Sequence, residues 1–308
     1  MVQGFRSASG FEFEEGMSTL SKRFKFYLSN MASAVLSTRP AARELTVAPY
    51  DVFIVSYLRS GSTWARFLFG NLLQDEPVTF SNVDRIVPMI YDFPDRVLRR
   101  LPRLLKSHEC FDPRYPQVVH IVRDPRDVAV SFYHYNRKVG VLADNYPIEA
   151  FVAAFLAGKT VGYADRLGSW EDHTLSWILM RRGNPSYRLL RYEDLLADPI
   201  GELVKTIPLL PKSLGRERIE QAVRLSSAER MRSLERQQSN QWRTTRNTRK
   251  DIAFIREARS GTWREQLSEH SVRQIEQSWG STMQQLGYEL SSIRQEAVAV
   301  APEGRDKL

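Results

Sequence analysis

At 308 residues and 42% hydrophobic content the chain can bury a sizeable core, enough for one large α/β domain or at most two small ones. Its single cysteine, Cys110, excludes an intrachain disulfide, and the absence of a long apolar run or of a basic-then-apolar start over Met1 to Phe13 points to a soluble, cytoplasmic protein with no integral membrane segment. The formal charge of +8 is concentrated, with 15 Lys/Arg against 8 Asp/Glu in residues 211–273, which fits either an anionic partner or a solvated charged face.

Residues 1–48 read as an N-terminal extension in which Phe24, Phe26, Tyr27 and Leu28 could pack on the body and Arg39 to Arg43 forms a linker. No internal repeat or low-complexity tract is present. The first strand is expected over Asp51–Tyr57. It breaks into Leu58-Arg59-Ser60-Gly61-Ser62-Thr63-Trp64, and helical spacing then resumes over 63–74 through Trp64, Phe67, Leu68, Asn71 and Leu72. Strand, hydroxyl-rich loop and helix start make an anion site. The first N–H groups of a helix lack intrahelical partners and carry the positive end of its dipole. Gly61 admits a close backbone approach, Ser60, Ser62 and Thr63 add neutral donors, and Arg59 adds a charged planar fork. The loop is not the nucleotide-triphosphatase motif G-x-x-x-x-G-K-[ST], because no Lys follows the glycine and no glycine stands five residues earlier.

Segments 76–100 and 232–253 are the expected walls and lid of an acceptor pocket. Val87-Pro88-Met89-Ile90-Tyr91 and Phe93 favour an apolar or aromatic acceptor if they do not simply pack in the core, while Arg96, Arg99 and Arg100 suit an acidic group or solvent. A second strand is expected over Arg103–Ser107, ending in Lys106-Ser107-His108. Lys106 and His108 lie two residues apart and so point to one side. The imidazole can take a proton from an acceptor hydroxyl, and the lysine can stabilise developing negative charge. His120, His134, His173 and His270 read as packing or surface positions.

A third strand over Val118–Arg123 is stopped by Asp124-Pro125, and a helix is expected over 126–138. Arg123 at the strand tip and Ser131, about two helical turns on, can converge on one doubly charged phosphate, unless Arg123 merely pairs with Asp127. Helical patterns follow at 147–157, 165–182 and 193–207, with a fourth strand at Tyr187–Arg191 between the last two. Continuous apolar strands alternating with helices predict a single α/β domain over 49–290: a central parallel sheet flanked by helices, with a strand–anion loop–helix core like that of the P-loop kinases. Ligands bind at the strand C-terminal ends of such sheets. Arg243 to Lys250 is basic but poor in aromatics, which argues against nucleic acid as partner. Residues 291–308 read as a polar tail.

Taken together, these motifs resemble the cytosolic type of 3′-phosphoadenosine 5′-phosphosulfate (PAPS)-dependent sulfotransferases. Tyr57 to Trp64 stands in place of the family's Y-P-K-S-G-T-T-W loop, Val122 to His134 resembles its 3′-phosphate motif, and Leu105 to His108 matches its L-K-T-H strand end. Tyr192-Glu193-Asp194 matches its Y-E-D turn. Ser226 to Met231 is similar to its T-S-F-x-x-M segment at the adenine, and Phe254 to Trp263 to its F-x-R-K-G-x-x-G-D-W segment over the 3′-phosphate. The likeness runs over about residues 50–265 in the family's order.

The resemblance implies PAPS as donor and PAP as product. It assigns the 5′-phosphate to Ser60, Gly61, Ser62 and Thr63, and the transferred group to Arg59 and Lys106. Arg123, Ser131 and Arg256 would hold the 3′-phosphate, while Trp64, Tyr192, Ser226 and Phe254 would surround the nucleotide. His108 would be the general base acting on a small hydroxylated acceptor. No metal is implied, since cations supply the charge and no residue grouping has ligand spacing. The chain departs from the family pattern at Arg59 (a lysine there), Glu257 (a lysine), Ala258 (a glycine) and Ala228 (an aromatic). With Glu257 and Ala258 substituted, more of the 3′-phosphate task falls to Arg256, with Arg259 as a second candidate. The family's short dimer motif is not recognisable in Arg264 to Arg273, leaving the oligomeric state open. Two rival readings are a Mg²⁺-dependent phosphotransferase and a non-catalytic binder of polyanions or nucleotides.

Overall fold

The computed structural model describes residues 45–90, 103–159 and 167–291. The 1–44 stretch with its candidate packing and linker residues, the segment holding Tyr91, Phe93, Arg96, Arg99 and Arg100, and the chain beyond 291 lie outside the described residues.

Four strands form one parallel sheet among the described residues: β1 (Val52–Ser56), β2 (Leu104–Ser107), β3 (Gln117–Val122) and β4 (Tyr187–Arg191), in the order β2-β1-β3-β4. The chain starts at the inner strand β1, crosses to β2 on one side, then returns to β3 on the other. That reversal opens a crevice beyond the C-terminal end of β1, where open α/β sheets take their ligands.

β1 is buried along its whole length because both faces are covered. Val52 and Ile54 point into one apolar cluster, with Val119 and Ile121 of β3 and with Ala65, Leu68, Phe69 and Leu72 of α1 (Ser62–Leu73). Phe53 and Val55 alternate to the opposite face, where Phe53 stacks on Tyr115 with ring centroids 3.6 Å apart. Each such aliphatic or aromatic side chain contributes on the order of 2 kcal/mol by leaving water.

Among the described residues the other α-helices are α2 (Val83–Ile86), α3 (Pro125–Lys138), α4 (Ile148–Leu156), α5 (Trp170–Arg181), α6 (Tyr192–Ala197), α7 (Pro199–Val204), α8 (Arg216–Leu225), α9 (Ala228–Gln238), α10 (Trp263–Gln266) and α11 (Glu269–Gln285). α3 begins where Asp124 stops the strand: the Asp124 side chain accepts from Arg126 N at 2.9 Å, and Pro125 occupies the first turn. α5 starts at Trp170, later than periodicity predicts, because Ser169 and Asp172 form a reciprocal capping box.

The single helix expected over 193–207 is three pieces. Pro199 cannot continue a helix, and Asp198 instead caps the next one by accepting from Gly201 N at 2.9 Å; Ile207–Leu209 is a 3₁₀ turn. Strand ends are trimmed as well: Tyr57 and Arg123 have left the sheet. Among the described residues no helix is long and apolar enough to cross a membrane.

Candidate active site

The loop after β1 holds two residues in left-handed backbone geometry, Arg59 at φ 65° and Gly61 at φ 99°. Gly61 has a second reason to be glycine: a Cβ there would stand 2.5 Å from Cδ2 of Tyr192. It is also the N-cap of α1 and supplies no side-chain cap, and no acidic residue lies in the first turn, so the helix start presents its N–H groups and dipole to an anion. The Arg59 guanidinium lies between the rings of Tyr135 and Phe254, 4.6 and 4.7 Å from their centroids, and its Nε donates to Ser131 Oγ at 3.3 Å.

At the end of β2, Lys106 and His108 are both buried. His108 Nδ1 lies 2.7 Å from the Ser56 carbonyl oxygen at the end of β1. A carbonyl can only accept, so Nδ1 carries the proton and Nε2 is left with the lone pair. Burial, and then the Lys106 charge, hold the imidazole well below its usual pKa, against the opposing pull of the Ser56 carbonyl. The ring is therefore neutral and able to accept a proton near pH 7.

At the tip of β3, Arg123 stacks over Tyr192 at 4.3 Å, donates through Nη2 to the Arg259 carbonyl at 3.2 Å, and lies 3.8 Å from Asp127. Its Nε is buried with no hydrogen-bond partner among the described residues. The Asp127 pairing weighed from sequence is present, but Asp127 has other duties. Its carboxylate accepts from Gly261 N at 2.7 Å, Thr262 Oγ1 at 2.8 Å and Trp263 N at 3.1 Å, tying the 256–263 loop to α3. The upstream end of that loop is held by Glu235 of α9, which accepts from the Phe254 and Ile255 N–H groups at 2.6 and 2.8 Å. Arg232 of the same helix donates to the carbonyls of Arg256 and Glu257.

These elements close around one cavity of about 850 Å³. Of the residues singled out from sequence, Arg59, Gly61, Ser62, Thr63, Trp64, Lys106, His108, Arg123, Ser131, Tyr192, Ser226, Phe254 and Arg256 line it. Ser60 does not: its N–H closes a turn to the Tyr57 carbonyl at 3.3 Å, and its hydroxyl is buried.

Residues 49–287 match the sulfotransferase domain family model. The chain belongs to the sulfotransferase family. Human sulfotransferase 2B1 is 29% identical over 199 residues, a segment covering 59% of this chain and about half (52%) of that relative's own length. The amine sulfotransferase of Oryctolagus cuniculus is 25% identical over 233 residues, 71% of this chain and 75% of that one. Among solved structures, a retinol dehydratase in complex with androsterone and inactive cofactor PAP superposes with a TM-score of 0.65 at 21% identity, covering 84% of this chain and 85% of that one.

In this sulfotransferase Trp64 and Tyr192 meet edge-on, with centroids 5.6 Å apart, and the Trp64 indole N–H donates to the Ser226 carbonyl at 3.0 Å. Ser226 Oγ in turn accepts from Asn71 at 3.1 Å, so that serine serves to anchor the wall. Of the segments expected on the acceptor side, only some residues reach the cavity. Met89, Trp242, Arg243 and Thr244 line the cavity, whereas Val87 and Ile90 pack in the core. Met89 reaches the site because its segment pairs with β2, through Lys106 N to Pro88 O at 2.9 Å and Ile90 N to Lys106 O at 3.0 Å.

Sequence reasoning missed Asp127 as loop anchor, Glu235, Arg232, and Asn71. An Asp in the first turn of α3 and a glutamate on an amphipathic helix are ordinary surface signals, and only the fold makes them brackets. His120 and His173 are core residues, His134 bonds Gln266, and His270 is exposed, as their positions implied. Much of the basic block is paired: Arg249 with Asp144 and Asp251, Arg216 with Glu220, Arg259 with Glu265, Arg273 with Glu269. Among the described residues no group of His, Cys, Asp and Glu could hold a metal ion.

Proposed function

We propose that this sulfotransferase transfers the sulfuryl group of PAPS to a hydroxyl or amine of a small, largely apolar acceptor by in-line displacement, with His108 as general base. The single observation that carries this reading is the convergence in one cavity of an open helix N-terminus, cations at two strand tips, and an imidazole whose tautomer is fixed toward the site. The buried, unpartnered Arg123 Nε fits a 3′-phosphate beside it. PAPS supplies the activated sulfur and departs as PAP.

The N–H groups of Gly61 to Thr63 receive the 5′-phosphate, while Arg123, Ser131 and Arg256 receive the 3′-phosphate. His108 Nε2 takes the acceptor's proton as the acceptor oxygen or nitrogen bonds to sulfur and the bridging sulfur–oxygen bond to the phosphate breaks. Lys106 and Arg59 face the transferred group and the leaving oxygen and offset the charge that builds there. Arg59 bonds Ser131 in this structure, so its guanidinium serves both ends of the donor site.

Met89, Phe132, Leu167 and Trp242 give the acceptor side its apolar character; the similarly folded retinol dehydratase holds androsterone in one structure and retinol in another. The one thiol, Cys110, is buried and held protonated by its surroundings, which suits the reducing cytoplasm where we place the reaction. Incubation with sulfur-labelled PAPS and a panel of alcohols, phenols and amines tests the proposal. Transfer of label with release of PAP supports it; transfer of a phosphoryl group from ATP in a Mg²⁺-dependent manner overturns it.

A further inference from the structure

The loop over the donor site carries a carboxylate where cations gather. Glu257 Oε1 lies 3.6 Å from Arg256 Nη2, and Glu257 Oε2 accepts from Arg259 Nε at 2.5 Å. Arg259 is in turn forked onto Glu265, at 2.8 and 2.5 Å, so Glu257 is steered from two sides. Arg256, Glu257, Ala258 and Arg259 all line the cavity next to Arg123. Ala258 is held at φ 52°, a left-handed conformation that turns the chain between the Glu257 and Arg259 side chains. Arg232 and Asp127 clamp this loop's backbone on either side, so the carboxylate is presented by a fixed scaffold.

We propose that Glu257 is a specificity-determining residue that sets the affinity for the nucleotide's 3′-phosphate, by competing with that phosphate for Arg256 and by repelling it. The inference rests on the PAPS reading given above. Arg256 and Arg123 line the same cavity, Arg123 is buried, and burial and then the neighbouring Arg123 charge both disfavour the Arg256 cation, an arrangement that calls for an anion between them. Glu257 supplies part of that negative charge from within the chain. A 3′-phosphate must displace it from Arg256 and then sit beside it. The consequence is weaker holding of both donor and product at the 3′ end, with no change at the 5′ end, where the anion loop does the binding.

The test is calorimetric binding of 3′,5′-bisphosphoadenosine and of AMP to the full-length protein and to its E257Q and E257K variants. The side chain is partly exposed, and the loop is anchored through backbone contacts that neither substitution touches. Expected is a graded gain in bisphosphate affinity, roughly 3- to 10-fold for E257Q and larger for E257K, with AMP affinity unmoved. If the unaltered protein prefers the bisphosphate but both variants leave the preference where it was, the role of Glu257 falls while the donor assignment stands. If neither the unaltered protein nor either variant prefers the bisphosphate over AMP, both fall together.

Discussion

The two halves of the cavity are built by different means. On the donor side, most positions follow from the sheet, with Arg123 at the tip of β3, His108 just past β2 and the anion loop after β1, joined by Ser131 from within α3 and Arg256 from the loop before α10. On the acceptor side, Met89, Trp242, Arg243 and Thr244 come from connecting segments whose paths depend on distant brackets such as Arg66 at Val87 and Ser81 at Gln241. On the reading proposed above, donor chemistry rests mainly on the sheet-borne half and selection of the acceptor on the half assembled from loops.

If that division is right, changes on the donor side alter rate or nucleotide affinity in separable ways. The largest effect should come from His108→Ala, which removes the base but no part of the phosphate sites. Turnover should fall by roughly 100- to 10,000-fold, with bisphosphate affinity by calorimetry nearly unchanged; near-normal turnover would refute the assignment.

Next comes acid sensitivity. His108, His120 and His173 are all buried, and burial drives each below its usual pKa, His173 to about 3. In the unfolded chain all three take up protons near pH 6.5, so below that pH the unfolded state binds more protons and stability falls as pH falls. Between pH 7.5 and 5.5 the loss should be on the order of 4 kcal/mol from three histidines that stay neutral when folded. Denaturant titrations at the two pH values measure it, and equal midpoints would show that the three rings are free to charge in place.

A smaller and more selective effect is expected of Arg123→Ala. Loss of a charged hydrogen bond to the 3′-phosphate should weaken bisphosphate binding roughly 10- to 100-fold, while AMP binding moves little. Parallel losses for both ligands would move Arg123 away from the 3′ end. Least of all, Ala258→Gly should relieve the left-handed strain at φ 52°. Partly offset by the added freedom of the unfolded chain, it should gain less than about 1 kcal/mol, raising Tm by roughly 2 °C. A lower Tm would mean that the methyl group packs usefully.

The convergence of these strand-tip residues was legible in the sequence because they sit at punctuation marks. Gly61 after an apolar run, Asp124-Pro125 after another, and Lys106 and His108 at a third run's end each announce a strand tip, and parallel strand tips share one edge. The brackets were not legible. Nothing local distinguishes Glu235, which holds Phe254 and Ile255, from Glu229 at the start of the same helix, and only a contact across about twenty residues gives it meaning. Val87 and Ile90 illustrate the same limit, since a short apolar stretch reads alike whether it faces a pocket or a core. Ser60 looked like a phosphate donor by composition, yet the turn that lifts Arg59 consumes its N–H.

Arg66, deep within α1, donates to the Val87 and Val83 carbonyls at 2.8 and 3.0 Å and to Asp84 at 2.7 Å. The helix that opens with the anion loop thus also moors the strip carrying Met89. If the site takes donor and acceptor as proposed, retargeting it to new acceptors should therefore proceed by exchanging side chains along a stationary rail, because sliding the rail itself would disturb the helix that opens the anion loop.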